Sequence, residues 1–153
     1  MEWQELGVTM LQTGRIFSAI RMSARLVHAA AGTSDIDAVD SYLVRGLVGG
    51  PAIHDPDRCR YYALVSADLG RPWEVTRDLE PLGLGSYVGV PRPGLAAAEA
   101  GPGTPYWAVP MESAGTLCVP AAVAALVEIA RYELATAPAT DALVSPLPRG
   151  RRR

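Results

Sequence analysis

From Pro120 to Ala135 the chain sets Val123, Leu126, Val127, Ala130 and Leu134 at the spacing of one helical face, with Pro120 at a natural first helical position and Pro138 beyond the end. Such an apolar stripe is stable in water only when a second layer covers it. The upstream segments supply that layer, because they are short runs bounded by turn residues. Arg15 to Met22 puts Ile16, Ser18, Ile20 and Met22 on one face and Phe17, Ala19 and Arg21 on the other. Arg60 to Ser66 reads as a strand, and with Ala52-Ile53-His54 and the turn Asp55-Pro56-Asp57 it forms a hairpin. Ser86 to Val90, closed by Pro91, and Tyr106 to Val109, closed by Pro110, add two more strands. The expected fold class is α+β. It is a single domain over residues 1–137 with a largely antiparallel sheet, flanking helices and the C-terminal helix packed on the sheet; a Pro/Arg-rich disordered tail follows over 138–153.

Two helices follow the first strand. Ser23 caps a short one carrying Leu26, Val27, Ala30 and Ala31, which Gly32 stops. Ser34 opens a longer one with Ile36, Val39, Leu43 and Leu47 on one face, and Asp35, Asp37 and Asp40 near its positive end. The stretch from Asp68 to Leu84 reads mostly as loop anchored by Trp73 and Val75, and residues 92–105 form a surface loop longer than a plain connection needs. The first ten residues are helix or extended lead-in, and their pattern leaves both open.

All fourteen basic residues are arginine, and neither lysine nor asparagine occurs, as expected of a GC-rich actinobacterial coding sequence. Four arginines lie at the extreme end (Arg149, Arg151, Arg152, Arg153), so the body carries ten basic against sixteen acidic residues, its arginines scattered singly. That balance argues against a broad phosphate-binding face. No apolar run approaches the ~18 residues of a membrane span. Cys59 and Cys118 show no disulfide framework and the N-terminus no secretory leader, so a reducing cytoplasm is expected. Neither cysteine nor histidine stands in zinc-ligand spacing, and no metal or other cofactor is expected.

The densest chemistry is His54-Asp55-Pro56-Asp57-Arg58-Cys59. Across a tight hairpin His54 can approach Cys59 as base to nucleophile, though a hairpin turn has no built-in oxyanion hole. Asp55 and Asp57 can instead hold a divalent cation if a third acid joins them, with Glu74, Asp78 and Glu80 the nearby candidates. The plain alternative makes the aspartates turn residues, Cys59 a core residue and His54 a strand residue. Gly83-Leu84-Gly85-Ser86-Tyr87-Val88-Gly89 leads into a strand rather than a helix and so reads as a turn, not a phosphate loop. Tyr61, Tyr62, Tyr87, Tyr106 and Trp107 lie on strands, either as packing residues or as a platform for bases, and Arg149, Arg151, Arg152 and Arg153 are the candidate nucleic-acid contacts.

Thr13 to Met22, Gly50-Pro51, Tyr61 to Val65, Leu82 to Pro91 and Tyr106 to Pro110, taken in order, resemble a domain of actinobacterial primase/polymerase proteins and its short relatives of unknown function. The resemblance implies an α+β sheet with flanking helices. A competent member would carry an acid-x-acid pair and a further acid on a strand platform, plus a histidine and basic residues for a nucleoside triphosphate. Only Asp55-x-Asp57 corresponds, interrupted by Pro56, so the chain reads as a short degenerate relative. The expected function is a small cytoplasmic binding or regulatory module without catalytic activity, acting with a protein partner or as a homo-oligomer, with no membrane attachment. The alternative is a nucleic-acid-associated enzyme of primase/polymerase type with metal at Asp55 and Asp57.

Overall fold

Ser23 turns the first long strand into a helix. Its backbone stays extended while its hydroxyl accepts a hydrogen bond from the Leu26 N–H (3.1 Å), and Gly32 ends the helix in the left-handed conformation. The structure is a computed structural model that describes residues 8–136 except Ala114. In chain order its elements are β1 (Val8–Gln12), β2 (Phe17–Ser23), α1 (Ala24–Ala31), α2 (Ile36–Gly46), β3 (Ala52–Asp55), β4 (Arg60–Ser66), β5 (Leu79–Leu82), β6 (Tyr87–Pro91), β7 (Tyr106–Val109) and α3 (Pro120–Thr136). The expected tail and its arginines lie outside the described residues.

Five strands form one antiparallel sheet in the order β5-β2-β4-β3-β7, and β1 pairs with β6 in a separate antiparallel ribbon. The α+β class is thus as expected from sequence. Register sorts the side chains. Leu79, Met22, Tyr61, His54 and Tyr106 align across the sheet on the face that the helices cover, whereas Glu80, Arg21, Tyr62, Ile53 and Trp107 align on the opposite face. The ribbon covers part of that second face, where Val90 and Leu11 meet Phe17, Leu64 and Trp107 around an apolar cleft of about 440 Å³. No described helix is long and apolar enough to cross a membrane.

Several details differ from expectation. Asp35, not Ser34, caps α2, its carboxylate accepting from the Ala38 N–H (3.0 Å). Val75 is exposed and anchors nothing; the buried residues of that stretch are Leu79 and Leu82, on β5. Pro81 is tolerated in β5 because the strand is an edge and one side of its backbone needs no partner. Ile16 stays in the turn before β2, exposed to solvent, while Ser18, Ile20 and Met22 of its alternating set are buried. Helix α3 buries Val123, Leu126, Val127 and Ala130 as its spacing requires, but chiefly against α1, with lesser contact to the sheet at β4. Gly14 has to be glycine: at φ 94° it lies against the Leu84 backbone, where any Cβ would overlap.

Candidate functional site

Each face of the main sheet holds a polar constellation. On the open face the hairpin register sets Arg60 of β4 beside Asp55 of β3 and Ser23 of β2, and one step along sets Tyr62 beside Arg21. The β3–β4 turn adds Arg58 and the segment before β5 adds Arg77. Arg21, Arg58, Arg60 and Arg77 together line a pocket of about 140 Å³ with Asp78. Arg58 and Arg60 also line a groove of about 480 Å³ that runs on past Asp55, Asp57 and Tyr62 to Tyr87 of the ribbon. The arginines that are single in sequence are therefore grouped in space, which corrects the expectation of a body without a basic cluster. Adjacent antiparallel strands bring together residues about forty positions apart, a proximity invisible to composition.

Some of these charges are already paired. Arg21 bonds Glu80, Arg25 bonds Asp78 (2.6 Å), and Arg58 reaches Asp55 (3.3 Å). Arg60 and Arg77 have no side-chain hydrogen bond or ion pair among the described residues. Asp55 is 5% exposed: Oδ2 meets Arg58, while Oδ1 has no partner among the described residues. Asp57 lies at the surface with its carboxylate against Gly103 of the long loop, where a Cβ would overlap it. The candidate third acids are held elsewhere: Glu74 by Arg131 (3.3 Å), Asp78 by Arg25 and the Ser23 hydroxyl, and Glu80 by Arg21. Among the described residues no three His, Cys, Asp or Glu side chains gather as a cation site.

The hairpin does not join His54 to Cys59. Cys59 is exposed in the turn at φ 56°, its carbonyl accepting from the Ala24 N–H (2.8 Å), while the His54 ring points to the helix-covered face. There His54 stacks on Tyr61 at 4.1 Å, its Nδ1 lies 3.0 Å from the Tyr106 hydroxyl, and that hydroxyl donates to Asp40 Oδ2 at 3.2 Å. Burial drives the chemistry of the group. It holds His54 down to about 4, with His28 nearby adding to the effect, and lifts Asp40 to about 6, Tyr106's hydrogen bond opposing and Asp37 reinforcing. Both tyrosines are held well above the ordinary phenol range, first by burial and then by Asp40, so they stay protonated. Cys118 is buried and pushed up to about 12, an inert thiol.

Sequence reasoning did not connect Asp40, Tyr106 and Tyr61 with His54. The available signal was a histidine and two tyrosines on strands otherwise rich in buried apolar residues, which demands internal hydrogen-bond partners. Compared with known proteins, the chain matches no family model, no curated protein and no solved structure.

Proposed function

We propose that this chain is a non-catalytic binding module of an actinobacterial cytoplasm whose ligand is anionic and lies on the open face of the main sheet, in the arginine-lined pocket and the groove that shares Arg58 and Arg60 with it. The observation that carries the reading is the meeting of Arg21, Arg58, Arg60 and Arg77 at one pocket, with Arg60 and Arg77 uncommitted among the described residues. Guanidinium groups bind oxyanions through directed, charge-assisted hydrogen bonds. The half-open groove adds an aromatic wall, since Tyr62 lies in its floor and Tyr87 is 58% exposed on the ribbon. Occupancy of this groove is the signal that a protein partner or a second copy of the chain would read.

One observation favours the alternative, a nucleic-acid-associated enzyme of primase/polymerase type: Asp55 and Asp57 line the same groove as Arg58 and Arg60. Against it, Asp55 is engaged by Arg58 and the neighbouring acids are paired elsewhere. Calorimetric titration with pyrophosphate, and anisotropy of a labelled single-stranded oligonucleotide at low and moderate salt, test both. Arg60→Gln and Arg77→Gln are each expected to weaken pyrophosphate about tenfold, or ~1.4 kcal/mol. Binding indifferent to both substitutions, or no binding, would end the reading. Micromolar Mn²⁺ affinity and primer extension, both lost in Asp55→Ala/Asp57→Ala, would establish the alternative instead.

A further inference from the structure

The Asp40–Tyr106–His54 chain has a direction, and bonding rules fix it. An ionised Asp40 only accepts, so the single Tyr106 hydroxyl proton goes to Oδ2. The Tyr106 oxygen is then an acceptor toward His54, and His54 Nδ1 must carry the imidazole proton. Protonation at Oδ2 reverses this logic: Oδ1 is buried with no partner among the described residues, so the new O–H finds an acceptor only on the Oδ2 side, where it donates to the Tyr106 oxygen. We infer that protonation of Asp40 reverses both hydrogen bonds and moves the proton of neutral His54 from Nδ1 to Nε2, which makes this buried chain a pH-sensitive tautomer switch. The inference is independent of the groove on the other face.

The protons balance. Uptake of one proton forms an N–H bond at His54 Nε2; the Nδ1–H bond breaks as its proton passes to the Tyr106 oxygen; the former phenolic proton passes to Asp40 Oδ2. All three groups end neutral, with Asp40 donating to Tyr106 and Tyr106 donating to His54. The surroundings favour a neutral endpoint. His54 is faced by Tyr61 from β4, Tyr106 from β7 and His28 from α1, while Asp40 is faced by Tyr106 and by Asp37 of its own helix, with no arginine paired to Asp40 among the described residues. Burial keeps His54 neutral down to about 4 while Asp40 takes its proton near 6, so the reversed state occupies the interval between.

Nitrogen NMR of the full chain, with labelled histidine and the two ring systems assigned through His28→Gln, reads the tautomer directly. Between pH 7.5 and 5, His54 Nδ1 is expected to move from the protonated-nitrogen region to the lone-pair region and Nε2 to do the opposite, with a midpoint near that of Asp40. Asp40→Asn should abolish the pH dependence of the tautomer, and Tyr106→Phe should uncouple it from Asp40. A His54 that keeps its Nδ1 proton while the Asp40 carboxyl titrates would overturn the switch. So would a tautomer change that persists in Asp40→Asn, a variant that retains an acceptor for the Tyr106 hydroxyl and so decides the matter even if Tyr106→Phe fails to fold.

Discussion

On β3 and β4, His54 and Tyr61 are sealed beneath helices α1 and α2, while Asp55, Arg60 and Tyr62, one position away on the same strands, look into a groove open to water. The buried set is neutral or close to it, linked by hydrogen bonds and ring stacking. The open set combines an acid, an arginine and a phenol and is only partly paired. One sheet thus carries two chemistries because on the covered face desolvation penalises charge, while on the other the buried Asp55 is met by Arg58 and the arginines reach the groove. Polar groups on the covered face should accordingly be matters of stability, and those on the open face matters of binding.

The sharpest way to break that comparison is to place a charge under the helices. Leu126→Asp puts an unpaired carboxylate where the parent side chain is 1% exposed, and a loss of ~4 kcal/mol is expected, a large part of a typical total. Glu128→Gln on the same helix should be silent in the same thermal melts. Equal melting temperatures for Leu126→Asp and the parent would remove the packed α1–α3 face.

Removing one hydroxyl from each face gives the next largest contrast. Tyr106→Phe leaves His54 Nδ1 and Asp40 without their shared partner and should cost about 2 kcal/mol. Tyr62→Phe, whose hydroxyl has no hydrogen bond among the described residues, should stay within about 0.5 kcal/mol. Urea denaturation that returned the same value for both would erase the distinction between the faces.

A pH series sharpens the comparison further. Asp40 is raised in the folded state from 3.8 to about 6, so the folded chain holds a proton there that the unfolded chain has released, and stability from this group falls as pH rises through that interval. Burial depresses His54 from 6.5 to about 4, so its contribution runs the other way and is lost as pH falls through that range. Asp40→Asn should therefore be more stable than the parent above pH 6, by on the order of 1 kcal/mol after solvent screening. The advantage should vanish toward pH 4. An advantage that grew on acidification would show that the sign, and the buried character of Asp40, are wrong.

Smallest are the backbone effects. Val48 at φ 53°, between α2 and β3, and Cys59 at φ 56°, in the open-face turn, both sit in the left-handed region without being glycine. Val48→Gly should raise stability by about 1 kcal/mol and Cys59→Gly by somewhat less, since β-branching adds to the strain at Val48. Denaturation midpoints that fall in both variants would show that side-chain contacts, not backbone strain, govern these turns.

Local physics made much of this legible in advance. Ser23 and Gly32 bracket α1, Pro120 starts α3, and a turn beginning with Pro56 and Asp57 joins β3 to β4, because caps, prolines and alternation act within a few residues. Where local signals were ambiguous, longer-range ones decided: β5 formed around Leu79 and Leu82 because β2 offered an edge to pair with, and Val75 had nothing to cover.

The sequence by itself determined the three helices, the strands β2, β3, β4, β6 and β7, the largely antiparallel sheet and the buried stripe of α3, since period and turn chemistry are properties of neighbouring residues, but it left β1 open and read β5 mostly as loop. Only the tertiary structure decided which side chains meet. Arg21 and Arg60 share a pocket because β2 lies beside β4, and Tyr106 joins His54 to Asp40 because β7 pairs with β3 beneath α2. Such meetings depend on strand order and register, and these follow from the free energy of burying the whole core rather than from any short stretch of chain.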